Sequence, residues 1–476
     1  MSSIASFERF GYPLVDWSRF LPMCVIAGFA LLQTIRLASA SNTILHTFAG
    51  EPTDGRSPSG GMTLSNNVFY GTTRYGGAHN NGIIFRMNPD GSGYSILHHF
   101  AGGMNDGSDP TGTLVVAGST IYGTTMNGGS NNAGTVFSID TSGSNLALLH
   151  TFPTGMDDGT LPPGPLVLVD STLYGVTEQG GTDNLGTIFK INTDSTGYAI
   201  LHSFASGTSD GHLPIAGLTL AGSTLYGTTA QGGTSGNNAG TLFKIDLTGT
   251  GYMLLHSFTG IHGDGDNPEH TLTLFASTLY GVTNQGGTAG TGTIFKIDAS
   301  GTGYGVLYSF EGSTGNDGHP SSALTAFEDH LIGSTDPMDA NIPGLVYSVG
   351  LNGSGFGTLY RFNGPTTEGR EPGADLAVIG STMYGVTGFG GTGRGVIYAL
   401  ALPTPTILSV NHPDNSHFSL TGQAFPNSAV AIDFSPNLAT EFMLLDTVMS
   451  DANGMFGYID STIAGDSMKF YEATSQ

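Results

Sequence analysis

One four-residue pattern occurs seven times along the chain at an almost constant spacing. It reads Leu-His-Thr-Phe at Leu45–Phe48, and the last two copies carry tyrosine in place of histidine. Five of the six steps are 52 residues long and one is 54, because the copies begin at Leu45, Leu97, Leu149, Leu201, Leu255, Leu307 and Leu359. A period of about 50 residues without helical patterning indicates a toroidal or stacked β-repeat.

Each repeat divides into four short strand-like runs. Glycine, serine, aspartate and asparagine fill the gaps between runs rich in β-branched and aromatic residues, which in the second repeat are Thr113–Val116, Thr120–Thr125, Gly134–Ile139 and Asn145–Phe152. Many of the 75 glycines occupy these gaps at fixed places, which indicates turns rather than low complexity. Four antiparallel strands in each of seven repeats predict an all-β, seven-bladed β-propeller.

The phase of the repeat predicts how this ring closes. Thr43–Phe48 matches only the fourth strand of a repeat, whereas the last repeat supplies three strands, Asp375–Ile379, Thr382–Thr387 and Gly395–Leu400. We therefore expect the N-terminal strand to complete the last blade of a domain spanning 41–403. A β-solenoid is the alternative, although it would need capped ends and would leave strand edges open.

The repeat motifs resemble a known family. Leu-Tyr-Gly-Thr-Thr-x-x-Gly-Gly followed by Gly-Thr-x-Phe-Lys-Ile-Asp, as at Leu225–Gly233 with Gly240–Asp246, is similar to the GloVer-type tandem repeat of exported bacterial "choice-of-anchor" proteins. The resemblance covers about 43–402 and implies a propeller-like exported protein, with no settled catalytic activity. The sixth repeat departs, because Asp336-Pro337 stands where the other repeats have Gly-Gly.

The first 40 residues are typical of a signal peptide. Arg9 and Arg19 precede the apolar run Phe20–Ile35, and Ala38-Ser39-Ala40 offers a small-residue cleavage site. An uncleaved membrane anchor is the alternative, although the run is short for a full span. We expect a secreted, periplasmic or cell-surface protein without a membrane span in the mature chain. The single cysteine lies inside this segment, so its removal excludes disulfides and thiolate sites.

Charge excludes one class of partner. The chain carries a formal net charge of −24, and such an excess of acid repels phosphate backbones. Nucleic acid is therefore not expected as a partner, and we expect a monomer.

Residues 404–476 follow the last repeat and differ from it. Alternating runs such as Thr406–Val410, Val430–Phe434 and Met455–Ile459 predict short strands. Together with Ser435–Leu438 and Phe470-Tyr471-x-Ala473, they resemble the Ig/fibronectin-like domains that often end exported bacterial chains. The resemblance implies a small β-sandwich that acts as a spacer or adhesion module.

An Asp-Gly pair occurs at one place in most repeats and is followed by proline. Such a pair is ordinary turn chemistry, in which the carboxylate accepts hydrogen bonds from nearby N–H groups. A second interpretation is a weak Ca²⁺ site, for which Asp264 and Asp266 are the best candidates because carboxylate oxygens suit this ion. If these loops display a ligand site, its residues are Asp106, Asp158, Asp210, Asp264, Asp317 and, in the sixth repeat, Asp336.

Three further patterns have plain structural explanations. The histidines of the four-residue pattern exchange with tyrosine, which predicts blade-to-blade packing rather than metal binding. Gly207–Gly211 matches the G-x-S-x-G of hydrolases, but Ser209 lies in the repeated Asp-Gly loop and not in a strand-to-helix turn. The Gly-Gly pairs precede strands, so no helix N-terminus follows them to bind phosphate.

The loop chemistry favours a binding function. The Gly-Gly loops and the Asp-Gly crossovers should emerge on one face of the ring, where polar, acidic loops suit a glycan or a cell-surface partner. A non-catalytic binding or scaffold protein is the first hypothesis, and a structural adhesion component is the second. A polysaccharide-active enzyme is the third, and it would need polar residues that break the repeat. The sixth repeat offers such residues at Glu328, Asp329, His330, Asp336 and Asp339.

Overall fold

The computed structural model describes most of the chain from residue 42 onward. The described ranges are 42–153, 158–207, 209–312, 317–336, 344–364, 368–403, 406–414, 417–425, 429–435, 443–451, 454–460 and 470–475. The predicted signal peptide lies outside them. Two compact units divide the chain, and 37–403 and 404–476 belong to different units. Every regular element in the described part is a β-strand.

Seven antiparallel sheets, one per repeat, make up residues 42–401. The chain opens with β1 (Asn42–Thr47). The first three blades follow, in chain order, as β2 (Gly55–Pro58), β3 (Thr63–Ser65), β4 (Val68–Gly76), β5 (Ile83–Met87), β6 (Ser95–His99); β7 (Gly107–Ser108), β8 (Val115–Ala117), β9 (Thr120–Thr125), β10 (Asn127–Gly128), β11 (Thr135–Asp140), β12 (Ala147–Thr151); and β13 (Gly159–Thr160), β14 (Val167–Val169), β15 (Thr172–Thr177), β16 (Gln179–Gly180), β17 (Thr187–Asn192), β18 (Ala199–Ser203).

Blades four to seven continue the same order. Their strands are β19 (Gly211–His212), β20 (Thr219–Ala221), β21 (Thr224–Thr229), β22 (Gln231–Gly232), β23 (Thr241–Asp246), β24 (Met253–Ser257); β25 (Gly265–Asp266), β26 (Thr273–Phe275), β27 (Thr278–Thr283), β28 (Gln285–Gly286), β29 (Thr293–Asp298), β30 (Gly305–Ser309); β31 (His319–Pro320), β32 (Thr325–Phe327), β33 (His330–Asp336), β34 (Leu345–Gly350), β35 (Gly357–Arg361); and β36 (Arg370–Pro372), β37 (Ala377–Ile379), β38 (Thr382–Phe389), β39 (Val396–Ala401).

The first strand of each four-stranded set lies nearest the ring axis. These short inner strands contact their counterparts in the neighbouring blades, as β20 contacts β26 and β26 contacts β32. Hydrogen bonds join them, because the Thr63 hydroxyl donates to the Leu114 carbonyl and the Thr325 hydroxyl donates to the Leu376 carbonyl at 2.8 Å. The fourth strand of each blade is the outer one, so each repeat runs from the axis to the rim.

The N-terminal strand closes the ring, as the phase of the repeat predicts. Strand β1 pairs antiparallel with β39, from Asn42 opposite Leu400 to Thr47 opposite Val396. The Phe48 amide then donates to the Gly395 carbonyl at 3.1 Å. The seven-bladed propeller is therefore confirmed, and the solenoid alternative is wrong.

A glycine on the second strand of each blade makes room for an aromatic ring on the third strand. Gly227 lies opposite Phe243 in the register of β21 and β23. A Cβ added at Gly227 would stand 2.6 Å from Cζ of Phe243, which is closer than atoms can pack. The same glycine recurs in every blade at Gly71, Gly123, Gly175, Gly227, Gly281, Gly333 and Gly385.

Blades six and seven place tyrosine where the others place this phenylalanine. The hydroxyls of Tyr347 and Tyr398 are buried, and neither has a hydrogen-bond partner within the described residues. Because a buried hydroxyl without a partner loses its hydration and gains nothing, we expect Tyr347→Phe and Tyr398→Phe each to raise the free energy of unfolding by about 1 kcal/mol. Urea denaturation measures this, and a clear loss of stability would show that the hydroxyl is hydrogen-bonded.

Residues after the propeller form two three-stranded antiparallel sheets. One contains β40 (Thr406–Asp414), β41 (His417–Gln423) and β44 (Met455–Asp460), and the other contains β42 (Ala429–Ser435), β43 (Met443–Met449) and β45 (Phe470–Ser475). Whether these sheets form the expected Ig/fibronectin-like sandwich stays a prediction. Within the described ranges, no helix is long and apolar enough to cross a membrane.

Candidate functional site

The crossovers and the Gly-Gly loops emerge on the same face of the ring, as expected. In blade five, β25 belongs to the crossover and β28 to the loop between β27 and β29, and these two strands pair with each other. Equivalent ribbons join crossover and loop in blades two, three and four. We call this side the crossover face. Loops held on such a rigid frame are where binding residues are usually found.

The crossover aspartates bond inward rather than outward. The Asp210 carboxylate lies 3.0 Å from Nε2 of His202 and accepts the Tyr252 hydroxyl at 2.5 Å. It also accepts the backbone amides of Ala205 at 3.1 Å and Gly211 at 2.8 Å. His202 belongs to blade three and Tyr252 to blade four, so this carboxylate joins two blades. We call the aspartate and its donors a carboxylate clasp.

Clasps recur around the ring with variations in the donors. Asp54, Asp158 and Asp264 repeat this arrangement, in which a histidine of the preceding blade and a tyrosine of the following blade both bond to the carboxylate. Asp106 keeps His98, but Leu146 stands where the tyrosine would be. In the last two blade junctions tyrosine replaces histidine, so that Tyr308 donates to Asp317 at 3.1 Å and Tyr360 donates to Glu368 at 2.6 Å.

The histidines pack between blades, as their exchange with tyrosine predicts. Four of the five imidazoles lie flat against the clasp tyrosine of the next blade, with ring centroids 3.6 Å apart for His46 and Tyr94 and 3.7 Å apart for His202 and Tyr252. The phenylalanine two residues later meets the imidazole edge-on. Stacking and the clasp therefore fix the same imidazole from two sides.

The clasp shifts the pKa of its members in opposite directions. Burial raises the pKa of Asp54, Asp158, Asp210 and Asp264, but the hydrogen bonds from histidine, tyrosine and backbone outweigh it and hold the pKa below its usual range. Burial, and next the hydrogen bond to the carboxylate, raise the pKa of the partner tyrosines, which are Tyr94, Tyr198, Tyr252 and Tyr304. The carboxylates are therefore ionised and the tyrosines protonated at neutral pH.

These lowered pKa values predict acid sensitivity. A carboxyl whose pKa is lower in the folded state stabilises the fold above its unfolded pKa, and this stabilisation is lost as pH falls through the folded value. We expect the free energy of unfolding to fall steadily below about pH 4. Urea denaturation from pH 7 to pH 2 measures it. Asp210→Asn should flatten this pH dependence, and an unchanged profile would contradict a clasp contribution.

The structure does not gather the predicted binding aspartates into one site. Asp106, Asp158, Asp210, Asp264 and Asp317 each lie at a different blade junction, where their carboxylates accept hydrogen bonds from within the chain. Their role in ligand binding stays a prediction. The candidate calcium pair includes Asp264, whose carboxylate already belongs to a clasp, and a carboxyl at Asp266 whose pKa burial raises. No group of three or more potential metal ligands occurs within the described residues.

The polar residues of the sixth repeat lie at two different places. Glu328, Asp329 and His330 occupy the turn between β32 and β33, on the side opposite the crossover face, whereas Asp336 ends β33 on the crossover face. Asp339 lies outside the described residues. Burial is the main cause and the Glu371 carboxylate the second cause that raise the pKa of Asp336 to about 7. The sixth repeat therefore contributes one unusual carboxyl to the crossover face rather than a convergent set.

A cavity of about 120 Å³ lies at the ring axis. Its wall comes from the segments just before the inner strands of six blades, and it includes Ser59, Thr111, Thr113, Pro163, Pro165, Ile215, Glu269, His270, Thr271 and Asp375. These segments leave the crossovers, so the cavity belongs to the crossover face. Of the described residues that line it, two are acidic and none is lysine or arginine.

Three residues of this wall break the repeat. Each inner strand follows a Pro-x-x-x-Leu segment, with Met62 in place of leucine in the first repeat, and only Glu269, His270 and Asp375 place an ionisable side chain within it. The Asp375 carboxylate lies 3.2 Å from the Thr113 hydroxyl of blade two and 3.3 Å from the Ala323 amide of blade six. Sequence reasoning missed these residues, although aligning the seven segments that follow the conserved proline would have revealed them.

His270 lies in this wall beside the Asn284 side chain and the Pro320 carbonyl. Burial lowers the pKa of His270, whereas the Asp375 and Glu269 carboxylates and the hydrogen bonds to Asn284 and Pro320 act in the opposite direction. The imidazole is therefore neutral at pH 7, and the two carboxylates of the cavity have no cation beside them in the wall.

Comparison of the sequence with known families gives one match. The family model described as the Gloeobacter/Verrucomicrobia repeat matches residues 30–238 and 225–432, which together span most of the chain. None of the curated protein sequences matches.

Solved structures with similar architecture are distant in sequence. An oligogalacturonate lyase in complex with manganese is 12% identical with a TM-score of 0.51, and the alignment covers 80% of this chain and 96% of the lyase chain. A chain of a nidogen/laminin complex is 15% identical with a TM-score of 0.38, covering 61% and 90%. TolB from Acinetobacter baumannii is 11% identical with a TM-score of 0.33, covering 72% and 78%. At 12% identity, the likeness to the lyase shows a shared fold alone.

Proposed function

The chain belongs to the Gloeobacter/Verrucomicrobia repeat family, in agreement with its repeat motifs, and from this premise we propose that it is an exported, non-catalytic binding or scaffold protein. Its binding surface is the crossover face, and its ligand is a glycan or the glycan-bearing surface of a cell. The targeting pattern of the first 40 residues suits the cell exterior.

One observation carries this proposal: departures from the repeat converge on the axial cavity of the crossover face. Elsewhere every blade repeats the same glycine, and most junctions repeat the clasp and the stacked rings, which serve the frame. At the cavity, Glu269, His270 and Asp375 replace the small or apolar residues of the other segments. A repeated frame with one non-repeated concave site is the arrangement expected of a binding protein.

The chemistry of the face favours hydroxyl-rich ligands over nucleic acid. Threonine and serine hydroxyls, backbone amides and carboxylates supply donors and acceptors that match sugar hydroxyls. The net charge of −24 opposes polyphosphates. A calcium ion shared between loop carboxylates and sugar hydroxyls belongs to the proposal as an optional component. We expect the protein to act as a monomer, since radial repetition leaves only short strand edges in the propeller.

Glycan binding can be measured directly. We expect purified protein to bind a subset of a glycan array, and the bound sugar to stabilise it by about 2.7 kcal/mol at one hundred times its dissociation constant. Thermal unfolding with and without the sugar, each in Ca²⁺ and in EDTA, measures this and separates the cation. Uniformly negative arrays and no thermal shift with any sugar would contradict the proposed function.

A further inference from the structure

We propose that the crossover face binds an acidic glycan, one that carries carboxylate or sulfate groups, at the place where blade seven meets blade one. This inference rests on the proposed function, because it names the class of glycan and the part of that face that holds it. The residues concerned are Arg370, Phe389, Arg56 and Tyr75, which we call the arginine–aromatic strip.

The strip consists of two cross-strand pairs that the other blades lack. In each crossover ribbon, the residue after the Asp-Gly or Glu-Gly pair lies opposite a residue of the loop that follows the second strand. These residues are Arg56 with Tyr75 in blade one and Arg370 with Phe389 in blade seven. Blades two to five instead hold Ser108 with Asn127, Thr160 with Gln179, His212 with Gln231, and Asp266 with Gln285. Among these six blades, an arginine opposite an aromatic ring is therefore found only in the two that ring closure joins.

Ring closure places the two pairs side by side. Strand β2 of blade one contacts β38 of blade seven. The order across the face is therefore Arg370 on β36, Phe389 on β38, Arg56 on β2 and Tyr75 on β4. Phe389 is 48% exposed. An apolar ring with an arginine on either side of it therefore faces solvent.

Positive charge in the crossovers and loops is confined to the same two blades. The crossovers, and the loops after the second strands, contain no lysine or arginine in blades two to six. Those of blades one and seven contain Arg56, Arg74, Arg370 and Arg394. In a chain with a net charge of −24, this grouping marks the part of the face where an anion is least repelled.

Tyr75 orients the guanidinium group of Arg56. The guanidinium carbons of Arg56 and Arg74 lie 5.2 and 5.4 Å from the centroid of the Tyr75 ring, within the range of a cation–π contact. Arg74 also donates to the Asp109 carboxylate through two nitrogens, at 2.7 and 3.0 Å. Arg74 therefore supports the ring, and Arg56 is the arginine of this blade that can turn to a ligand.

Arg56 and Arg370 keep donors for a ligand. Nε of Arg56 lies 3.8 Å from the Glu51 carboxylate, and its Nη2 donates to Asn80 at 3.4 Å. Nη2 of Arg370 lies 3.3 Å from the Glu371 carboxylate. Exposed ion pairs of this kind contribute little to stability, so an incoming anion can replace them at small cost. A guanidinium group has five N–H donors in a planar fork, which matches two oxygens of one acidic group.

The combination suits a sugar acid better than a nucleic acid. A pyranose packs its C–H face on an aromatic ring, here Phe389, and presents the oxygens of its edge to the arginine on either side. A nucleic acid carries a charge on every nucleotide, which the net charge of −24 opposes everywhere beyond the strip. At 0.15 M salt the screening length is about 8 Å, so the acidic residues of distant blades act weakly on a glycan held here.

An array of matched acidic and neutral glycans tests the inference on the unaltered protein. We expect the bound glycans to carry uronic acid or sulfate, and the spots that respond distinguish these two sources of acid. Calorimetry in 0.15 M salt then compares the most strongly bound glycan with its carboxyl-reduced or desulfated form. Because hydrogen bonds to charged groups are the stronger ones, we expect removal of the acidic groups to weaken binding at least about tenfold.

Variants that restore the pair of another blade locate the site. Arg56→Thr and Arg370→Thr copy Thr160 of blade three, and each should remove most of the preference for the acidic form. Phe389→Gln copies Gln179 and should weaken the acidic and the neutralised form alike, by about tenfold, because the ring contacts the sugar and not its acidic group.

Arg86→Gln is the charge-matched control. Arg86 is exposed near the end of β5 in blade one, towards the side opposite the crossover face, where it donates to Ser95 at 3.0 Å. Its substitution should leave the preference for the acidic form unchanged. Circular dichroism and the melting temperature check that each variant is folded.

The outcomes separate the two proposals. Three results would overturn the acidic-glycan inference and leave glycan binding intact: equal affinity for the acidic glycan and its neutralised form, binding of neutral glycans alone, or a preference that survives in every variant of the strip. An Arg86→Gln variant that loses as much preference as Arg56→Thr would also overturn it, since bulk charge would then be the cause. A protein that binds no member of the array and shows no thermal shift would overturn the proposed function as well.

Discussion

Replacing Phe48 by alanine is expected to weaken the pairing of β1 with β39 that closes the ring, and to lower the free energy of unfolding by about 3–5 kcal/mol. Phe48 is fully buried between the last and first blades, with its ring 5.6 Å from Phe85 and packed with Val386 and Ile397. It is also the residue at which β1 leaves its partner strand. Loss of this ring removes the most deeply buried apolar contact of β1, whose remaining contacts are the hydrogen bonds to β39, the packing of Leu45, and His46 with its stacking on Tyr94.

Phe152→Ala is the matched control for this experiment. Phe152 is equally buried and lies 5.5 Å from Phe189 and 6.3 Å from Tyr198, almost the same geometry as Phe48 in the first blade. However, β12 lies in the middle of the ring sequence, whereas β1 is the first strand of the ring. Loss of packing at Phe152 therefore does not release a terminal strand of the propeller. Both variants should lose similar global stability.

Hydrogen exchange distinguishes the two variants. In Phe48→Ala, the amides of β1 and β39 should exchange far faster than those of the other blades, because the closing strand opens locally before global unfolding. In Phe152→Ala, the amides of no single blade should exchange far faster than those of the others. Slow exchange at β1 and β39 in the Phe48 variant would show that ring closure does not depend on this contact.

The architecture could be predicted from sequence because its causes are local and repeated. Strand alternation and glycine turns mark the four strands of each repeat, and the phase of the copies places the odd strand at Asn42–Thr47 in the last blade. Repetition gives each inference seven independent checks. The sixth repeat lacks the Gly-Gly pair, yet β33 and β34 still pair in the regular register.

The clasps were beyond sequence reasoning because their partners are distant in the chain. Asp54 and Tyr94 are 40 residues apart, and the folding of the first blade brings the hydroxyl to the carboxylate. The Asp-Gly pattern was correctly associated with backbone capping, since Gly55 donates to Asp54 at 2.7 Å. What the pattern could not show is that the same carboxylate also joins neighbouring blades.

The axial site was missed for a different reason. Searching for unusual chemistry where a repeat is most disrupted leads to the sixth blade, whose polar residues lie on both sides of the ring. Glu269, His270 and Asp375 come from the fifth and seventh repeats, which keep the Gly-Gly pair that the sixth repeat lacks. Only the radial arrangement of the blades brings single substitutions from different repeats to one axis.

Asp210→Ala should lower the free energy of unfolding by about 3–5 kcal/mol, which is the second large effect that we expect. The substitution leaves four donors without their acceptor: His202, the buried hydroxyl of Tyr252 and the amides of Ala205 and Gly211. Each buried donor left unpaired costs about 1–3 kcal/mol, although relaxation and water entry recover part of the sum. Urea denaturation at pH 7 measures the loss.

Asp106→Ala is the control that the chain itself supplies. Its carboxylate accepts from His98 and two amides, but Leu146 stands in place of the clasp tyrosine, so one buried donor fewer is left unpaired. We expect it to cost about 1–2 kcal/mol less than Asp210→Ala. Tyr252→Leu gives the Asp210 junction the leucine that Leu146 provides at the Asp106 junction. In this background, Asp210→Ala should lower the free energy of unfolding by the same amount as Asp106→Ala does in the unaltered protein. Equal costs in the unaltered protein would mean that the tyrosine hydroxyl adds nothing to the junction, and that stacking on the imidazole is its whole contribution.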